Sequence, residues 1–172
     1  MRLFLSINFD RKTKENIASV QSRLKQAAKG HGRFSDVSNL HLTLAFLGEV
    51  EEERLGAVKQ AMDRTEVRPF TLRFAKTGFF DRGGQIWWIG AEKCPELTAL
   101  QKELSDNLRA EGFALEKRAF TPHVTLARQL KLGQAGAGDL LPEPFECEAD
   151  AVCLMLSHRP GGRLTYTELY RI

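Results

Sequence analysis

Apolar and polar positions alternate through Arg2 to Phe9, with Leu3, Leu5 and Ile7 on one side and Phe4, Ser6 and Asn8 on the other, the period-two pattern of a strand. The period then lengthens. Ile17, Val20, Leu24 and Ala27 recur at helical spacing, Asp10 or Thr13 offers a cap and Gly30 a stop, so a helix is predicted to about Lys29. A polar loop with Gly30, Gly32 and Ser35 leads into a β-rich stretch, Leu40 to Leu47, ended at Gly48. Glu51 to Arg64 is acidic first and basic last, which complements the peptide dipole, and carries Leu55, Val58 and Met62 on one face of a second helix. Pro69 opens a strand over Phe70 to Lys76, and a turn of Asp81, Gly83 and Gly84 returns the chain into Gln85 to Ala91. A third helix fits Glu96 to Glu111 on the spacing of Leu97, Leu100, Leu104 and Leu108, and a short strand, His123 to Arg128, follows Pro122. Gln134 to Gly138, rich in small residues, reads as a loop.

The plan is stated twice. Sliding the sequence on itself by 82 residues lays Leu3 to Ile7 on Gln85 to Ile89, and His41-Leu-Thr-Leu-Ala on His123-Val-Thr-Leu-Ala. Pro144-Phe145 and the Gly161-Gly162 turn resemble Pro69-Phe70 and Gly83-Gly84 at other offsets. An internal duplication predicts an α+β fold of two lobes related by a pseudo-twofold axis, each an antiparallel sheet flanked by helices.

Composition narrows this picture without redirecting it. A chain of 172 residues suffices for one compact domain, or for two small lobes folded as a unit, and residues 1–172 are expected to form a single domain. Hydrophobic residues at 42% and charged residues at 27% exclude a disordered or fibrous chain. No apolar run is long enough to cross a bilayer, and Met1 to Asp10 lacks the plan of a signal peptide, so a soluble cytoplasmic monomer is expected. Cys94, Cys147 and Cys153 are odd in number and form no Cys-x-x-Cys pair, which speaks against a disulfide framework or a thiolate metal site. The net charge of +3 is too small for a nucleic-acid coat but leaves room for a local basic cleft.

The candidate chemistry lies in the repeated motif. Strand parity puts His41, Thr43 and Ala45 on one face and Leu42, Leu44 and Phe46 on the other, with His123, Thr125 and Ala127 repeating the arrangement. A pseudo-twofold axis turns the two histidine faces toward each other across a cleft. Two histidines suit in-line displacement at phosphorus: one deprotonates the attacking oxygen while the other protonates the departing one, and an ordinary pKa near 6.5 suits both tasks. The threonine hydroxyls can donate to the phosphate oxygens. No cofactor is called for, and the motif offers no carboxylate to hold magnesium and no third ligand for zinc. A lone His-x-Thr more often marks a half-buried histidine, whereas two copies at matching points of a repeat point to a site. His31 and His158 fall in loops and are given no role. Arg128 can reach phosphate, although parity puts it on the Val124 face unless the strand twists or ends there. Trp87, Trp88, Phe9 and Phe80 are candidates for stacking on a base, or simply core.

Asn39-Leu40-His41-Leu42-Thr43-Leu44-Ala45-Phe46-Leu47-Gly48 and Phe120-Thr121-Pro122-His123-Val124-Thr125-Leu126-Ala127-Arg128 resemble the two-histidine phosphoesterase superfamily, and within it the RNA 2',3'-cyclic phosphodiesterases once named 2'-5' RNA ligases. The likeness runs from the Arg2-Leu3-Phe4 strand to the closing Gly161 to Tyr166 hairpin. It implies a bilobal fold around a central cleft, no metal requirement, and RNA ends bearing 2',3'-cyclic phosphate as substrates, opened to 2'-phosphates. It further implies His41 as proton donor, His123 as proton acceptor, and phosphate contacts from Thr43 and Thr125. Alternatives are reversible 2'-5' ligation of RNA ends, a small cyclic nucleotide as substrate, or a non-catalytic RNA-binding module.

Overall fold

The computed structural model describes residues 1–133 and 139–172 of the chain, so the Gln134 to Gly138 loop lies outside the described residues. Strand β1 (Arg2–Asn8) leads to helix α1 (Arg11–Ala27), whose first turn is capped by Asp10 accepting from the Thr13 amide at 2.8 Å. Such a cap stabilises a helix by about 1 kcal/mol. Burial of Ile17, Val20 and Leu24 holds the helix to the sheets. A two-residue strand β2 (Arg33–Phe34) and a 3₁₀ turn (Val37–Asn39) precede β3 (His41–Glu49). The segment read as one helix from Glu51 divides into a 3₁₀ turn, Glu52–Arg54, and α2 (Leu55–Asp63). Then come β4 (Phe70–Asp81), β5 (Gln85–Ala91), α3 (Pro95–Ala110), β6 (His123–Leu130), β7 (Phe145–Ala149), β8 (Cys153–His158) and β9 (Thr165–Arg171).

The strands form two antiparallel sheets, in the orders β3-β1-β8-β9 and β2-β6-β5-β4-β7. The duplication is visible in them, because β3 beside β1 corresponds to β6 beside β5 at the 82-residue offset. The third strand of each unit is exchanged. Strand β4 follows the first motif in sequence yet pairs with β5 of the second unit, and β8 follows the second motif yet pairs with β1 of the first. Phe70 of β4 therefore matches Val152, the residue before β8, and not Phe145, whose strand instead lies against β4 with Phe74 opposite Phe145. The resemblance of Pro144-Phe145 to Pro69-Phe70 reflects a shared way of opening a strand, not equivalent positions.

Burial departs from simple alternation in β1. Leu3, Leu5 and Ile7 enter the main core, but Phe4 and Ser6 are also buried, because β1 is an inner strand whose second face is covered by side chains at the cleft. Strand β4 runs on to Asp81, five residues past the end expected at Lys76, so its hairpin with β5 carries Phe80 to the cleft. Strand β2 falls inside the stretch read as a loop and, among the described residues, has no counterpart in the other sheet.

Candidate active site

His41 opens β3 and His123 opens β6, the motif strands that come after α1 and α3 in the two units, and both rings line one cavity together with Thr43, Thr125 and Arg128. Each ring is oriented in the same way. Nδ1 of His41 bonds the Asn39 carbonyl at 2.7 Å, and Nδ1 of His123 bonds the Thr121 carbonyl at 2.6 Å. A carbonyl only accepts, so Nδ1 carries a proton in both rings and Nε2 is left as the reactive nitrogen. Nε2 of His41 lies 2.9 Å from the Thr43 hydroxyl. The turn that presents the Asn39 carbonyl is tied down by long-range contacts. Asp36 caps it through the Ser38 amide and pairs with Arg163, Asn39 donates to the Leu164 carbonyl, and Lys14 donates to the Ser38 carbonyl.

Parity breaks between the threonine and the alanine of the motif, and it does so in both motif strands. In β3, Leu5 faces Ala45 and Ser6 faces Thr43, which leaves Leu44 as an extra residue, a β-bulge. In β6, Trp87 faces Ala127 and Trp88 faces Thr125, leaving Leu126 extra. Alternation therefore reverses after the threonine. Ala45 and Ala127 are buried in the core and do not share the histidine face, contrary to strict alternation, while Phe46 and Arg128 swing out to the cleft. Arg128 thus joins Thr125 and His123 on one face, away from Val124. Phe46, which alternation puts on the face of Leu42 and Leu44, is instead 43% exposed, with the Arg2 guanidinium 5.1 Å from its ring centre.

Cross-strand partners complete each half of the floor. Asn8, Ser6 and Phe4 stand opposite His41, Thr43 and Phe46, and the Phe4 ring lies 4.8 Å from the His41 ring. In the other sheet Gly90 stands opposite His123 and Trp88 opposite Thr125. Gly90 is required there, since a Cβ would meet the Trp88 indole at 2.9 Å. Of the four aromatic residues singled out for stacking, Trp87 and Phe9 belong to the core. Phe80 packs edge-on against the His123 ring at 5.1 Å, and Trp88 lies 6.4 Å from it. His31 is an exposed loop residue, whereas His158 ends β8 at the cavity rim and bonds Thr167 through Nε2.

Burial, then repulsion from His123, Lys14 and Arg128, depresses His41 to about 4 despite the Asn39 carbonyl. His123 is depressed in the same sense, by burial and then by Arg128 and Arg82. Among the described residues, no cluster of three or more His, Cys, Asp or Glu is arranged to hold a metal ion. Among the same residues, no helix is long and apolar enough to cross a membrane.

A pair of imidazoles whose Nε2 atoms share a cavity with two hydroxyls and a guanidinium is the equipment of an acid–base phosphoester site. Residues 9–161 match the model of the 2'-5' RNA ligase superfamily, and the chain belongs to that family. It is 31% identical to an Escherichia coli protein named RNA 2',3'-cyclic phosphodiesterase, over 99% of this chain and 94% of that one. It is 33% identical to an Archaeoglobus fulgidus protein of the same name, over 74% and 72%. The crystal structure of E. coli LigT without ligand superposes with a TM-score of 0.84 at 30% identity, covering 99% of this chain and 95% of that one.

Proposed function

We propose that the protein hydrolyses the terminal 2',3'-cyclic phosphate of RNA to a 2'-phosphate, without a metal ion. His123 takes a proton from water as its oxygen bonds to phosphorus, and the bond from phosphorus to O3' breaks as His41 delivers a proton to that oxygen. Thr43, Thr125 and Arg128 hold the non-bridging oxygens. The observation that supports this reading is the paired orientation of the rings, each fixed through Nδ1 by the carbonyl two residues before it, with both lining one cavity. The names of the E. coli and A. fulgidus relatives agree with it.

The low pKa of His41 bears on the order of events. An acid depressed to about 4 is mostly unprotonated at neutral pH in the free protein. A bound phosphate anion supplies the opposite charge and raises it, so substrate arms its own acid. The test is turnover of an oligoribonucleotide ending in 2',3'-cyclic phosphate, with and without chelator. A 2'-phosphate product insensitive to chelator is expected. A joined product would favour 2'-5' ligation, and binding without turnover a non-catalytic RNA-binding module.

A further inference from the structure

The cleft divides at the catalytic pair. One arm, lined by His123 but not His41, runs past Arg82 and the Lys117-Arg118 loop. The other, lined by both histidines, runs past Arg33, Arg159 and Arg163. In-line displacement puts entering and leaving oxygens on opposite sides of phosphorus. If His41 protonates O3', the ribose lies on the His41 side and water enters from the His123 side. The 5' continuation of the chain is attached to that same ribose and leaves through the second arm.

An independent feature marks the same arm. Arg33 of β2 is the direct cross-strand partner of Arg128 in β6, and both are exposed in this arm. Like charges directly opposite on one face of an antiparallel pair destabilise it, and β2 has no counterpart in the other sheet to suggest a purely architectural need for it. A polyanion spanning both guanidiniums removes the repulsion. The carboxylates of the arm, Asp36 and Glu49, are engaged by Arg163 and the Met1 amine, while Tyr166 and Phe34 interleave with the arginines.

We propose that Arg33 and Arg159 form a track for the sugar-phosphate backbone on the 5' side of the reacting nucleotide, so that the site prefers a polynucleotide end to a cyclic mononucleotide. This rests on the assignment of His41 as acid in a cyclic phosphodiesterase. The experiment compares kcat/KM for an oligoribonucleotide ending in 2',3'-cyclic phosphate with that for 2',3'-cyclic AMP, alongside anisotropy titrations of a 3'-phosphorylated oligomer at several salt concentrations. Replacing both Arg33→Gln and Arg159→Gln is expected to lower the oligomer-to-mononucleotide ratio about tenfold at low salt. It should also remove about one from the slope of log affinity against log salt for each arginine. Arg33→Gln alone should melt no lower than the parent, because it relieves a like-charge pair. Arg33→Lys, which keeps the charge, should retain the slope. An unchanged ratio and slope in the double variant would overturn the proposal. So would the same losses appearing instead on Lys117→Gln and Arg118→Gln, which would put the chain in the other arm. If the parent turns over neither substrate, the phosphodiesterase reading fails, and the titrations still decide whether the track exists.

Discussion

Phe46 and Arg128 occupy the same position in the two halves of the molecule, each five residues beyond its histidine and each turned into the cleft by a one-residue bulge at the preceding Leu-Ala pair. One unit therefore offers an apolar ring and the other a guanidinium, so the candidate site is symmetric in its two histidines and asymmetric in what surrounds them. Arg128→Ala should lower kcat/KM on a cyclic phosphate by about ten- to a hundredfold, since a hydrogen bond to a charged group contributes about 1.5–3 kcal/mol. Arg128→Lys should restore only part of this, because an ammonium lacks the planar fork. Parent kinetics in Arg128→Ala would show that the side chain leaves the phosphate untouched.

The threonines should separate by pH. Thr43→Ala and Thr125→Ala are each expected to cost about ten- to a hundredfold, less than loss of either histidine, because each removes one hydrogen bond and no proton transfer. Thr43 also meets Nε2 of His41, so its loss should shift the pH–rate profile as well as its height. Thr125→Ala should lower the profile without moving it. Full pH profiles of both variants decide this.

Acid and base are separable by leaving group. In His41→Ala, a substrate whose leaving group needs no proton should recover far more of the parent rate than the natural cyclic phosphate does. In His123→Ala it should recover little, since water still lacks its base. Equal recovery in both variants would reject the division of labour.

Because an anionic ligand raises the depressed pKa of His41, the profile of kcat should lie at higher pH than that of kcat/KM, which reports the free protein. Coincident profiles would mean that phosphate does not couple to this ring. The apparent values belong to the pair and not to either residue.

Stability should carry the same signature. His41 is depressed from 6.5 to about 4 in the folded protein, so over that window the unfolded state binds more protons and the fold loses stability as pH falls, and the depression of His123 acts in the same direction. His41→Asn should flatten the fall of Tm over that range. An equally steep fall in the variant would place the effect elsewhere.

Much of this was legible in the chain. Period-two and helical spacings located the strands and helices, and the echo of His41-Leu-Thr-Leu-Ala in His123-Val-Thr-Leu-Ala picked out the two histidines that line one cavity. The bulges were not legible, because Leu44-Ala45 and Leu126-Ala127 are apolar pairs. Either partner can face the core, so nothing in their polarity announces that parity reverses. Arg128 was therefore reachable only by allowing for a twist, and Phe46 was misplaced. Strand β2 was missed because two residues carry no period, and what makes them a strand is the β6 edge they meet. The exchange of β4 and β8 escaped because an offset shows which segments correspond, not which sheet each one joins.

That exchange sets a schedule for synthesis. Strand β1, made before the other described strands, sits inside a sheet whose positions on one side belong to β8 and β9, the last two of them in chain order. The sheet bearing His41 thus waits with one edge of β1 open until β8 has been made, while the strands around His123 can pair earlier, once β4 to β6 have emerged. A chain halted before Cys153 would expose the backbone of β1 to other strands, so aggregation of the nascent protein is the hazard this topology creates.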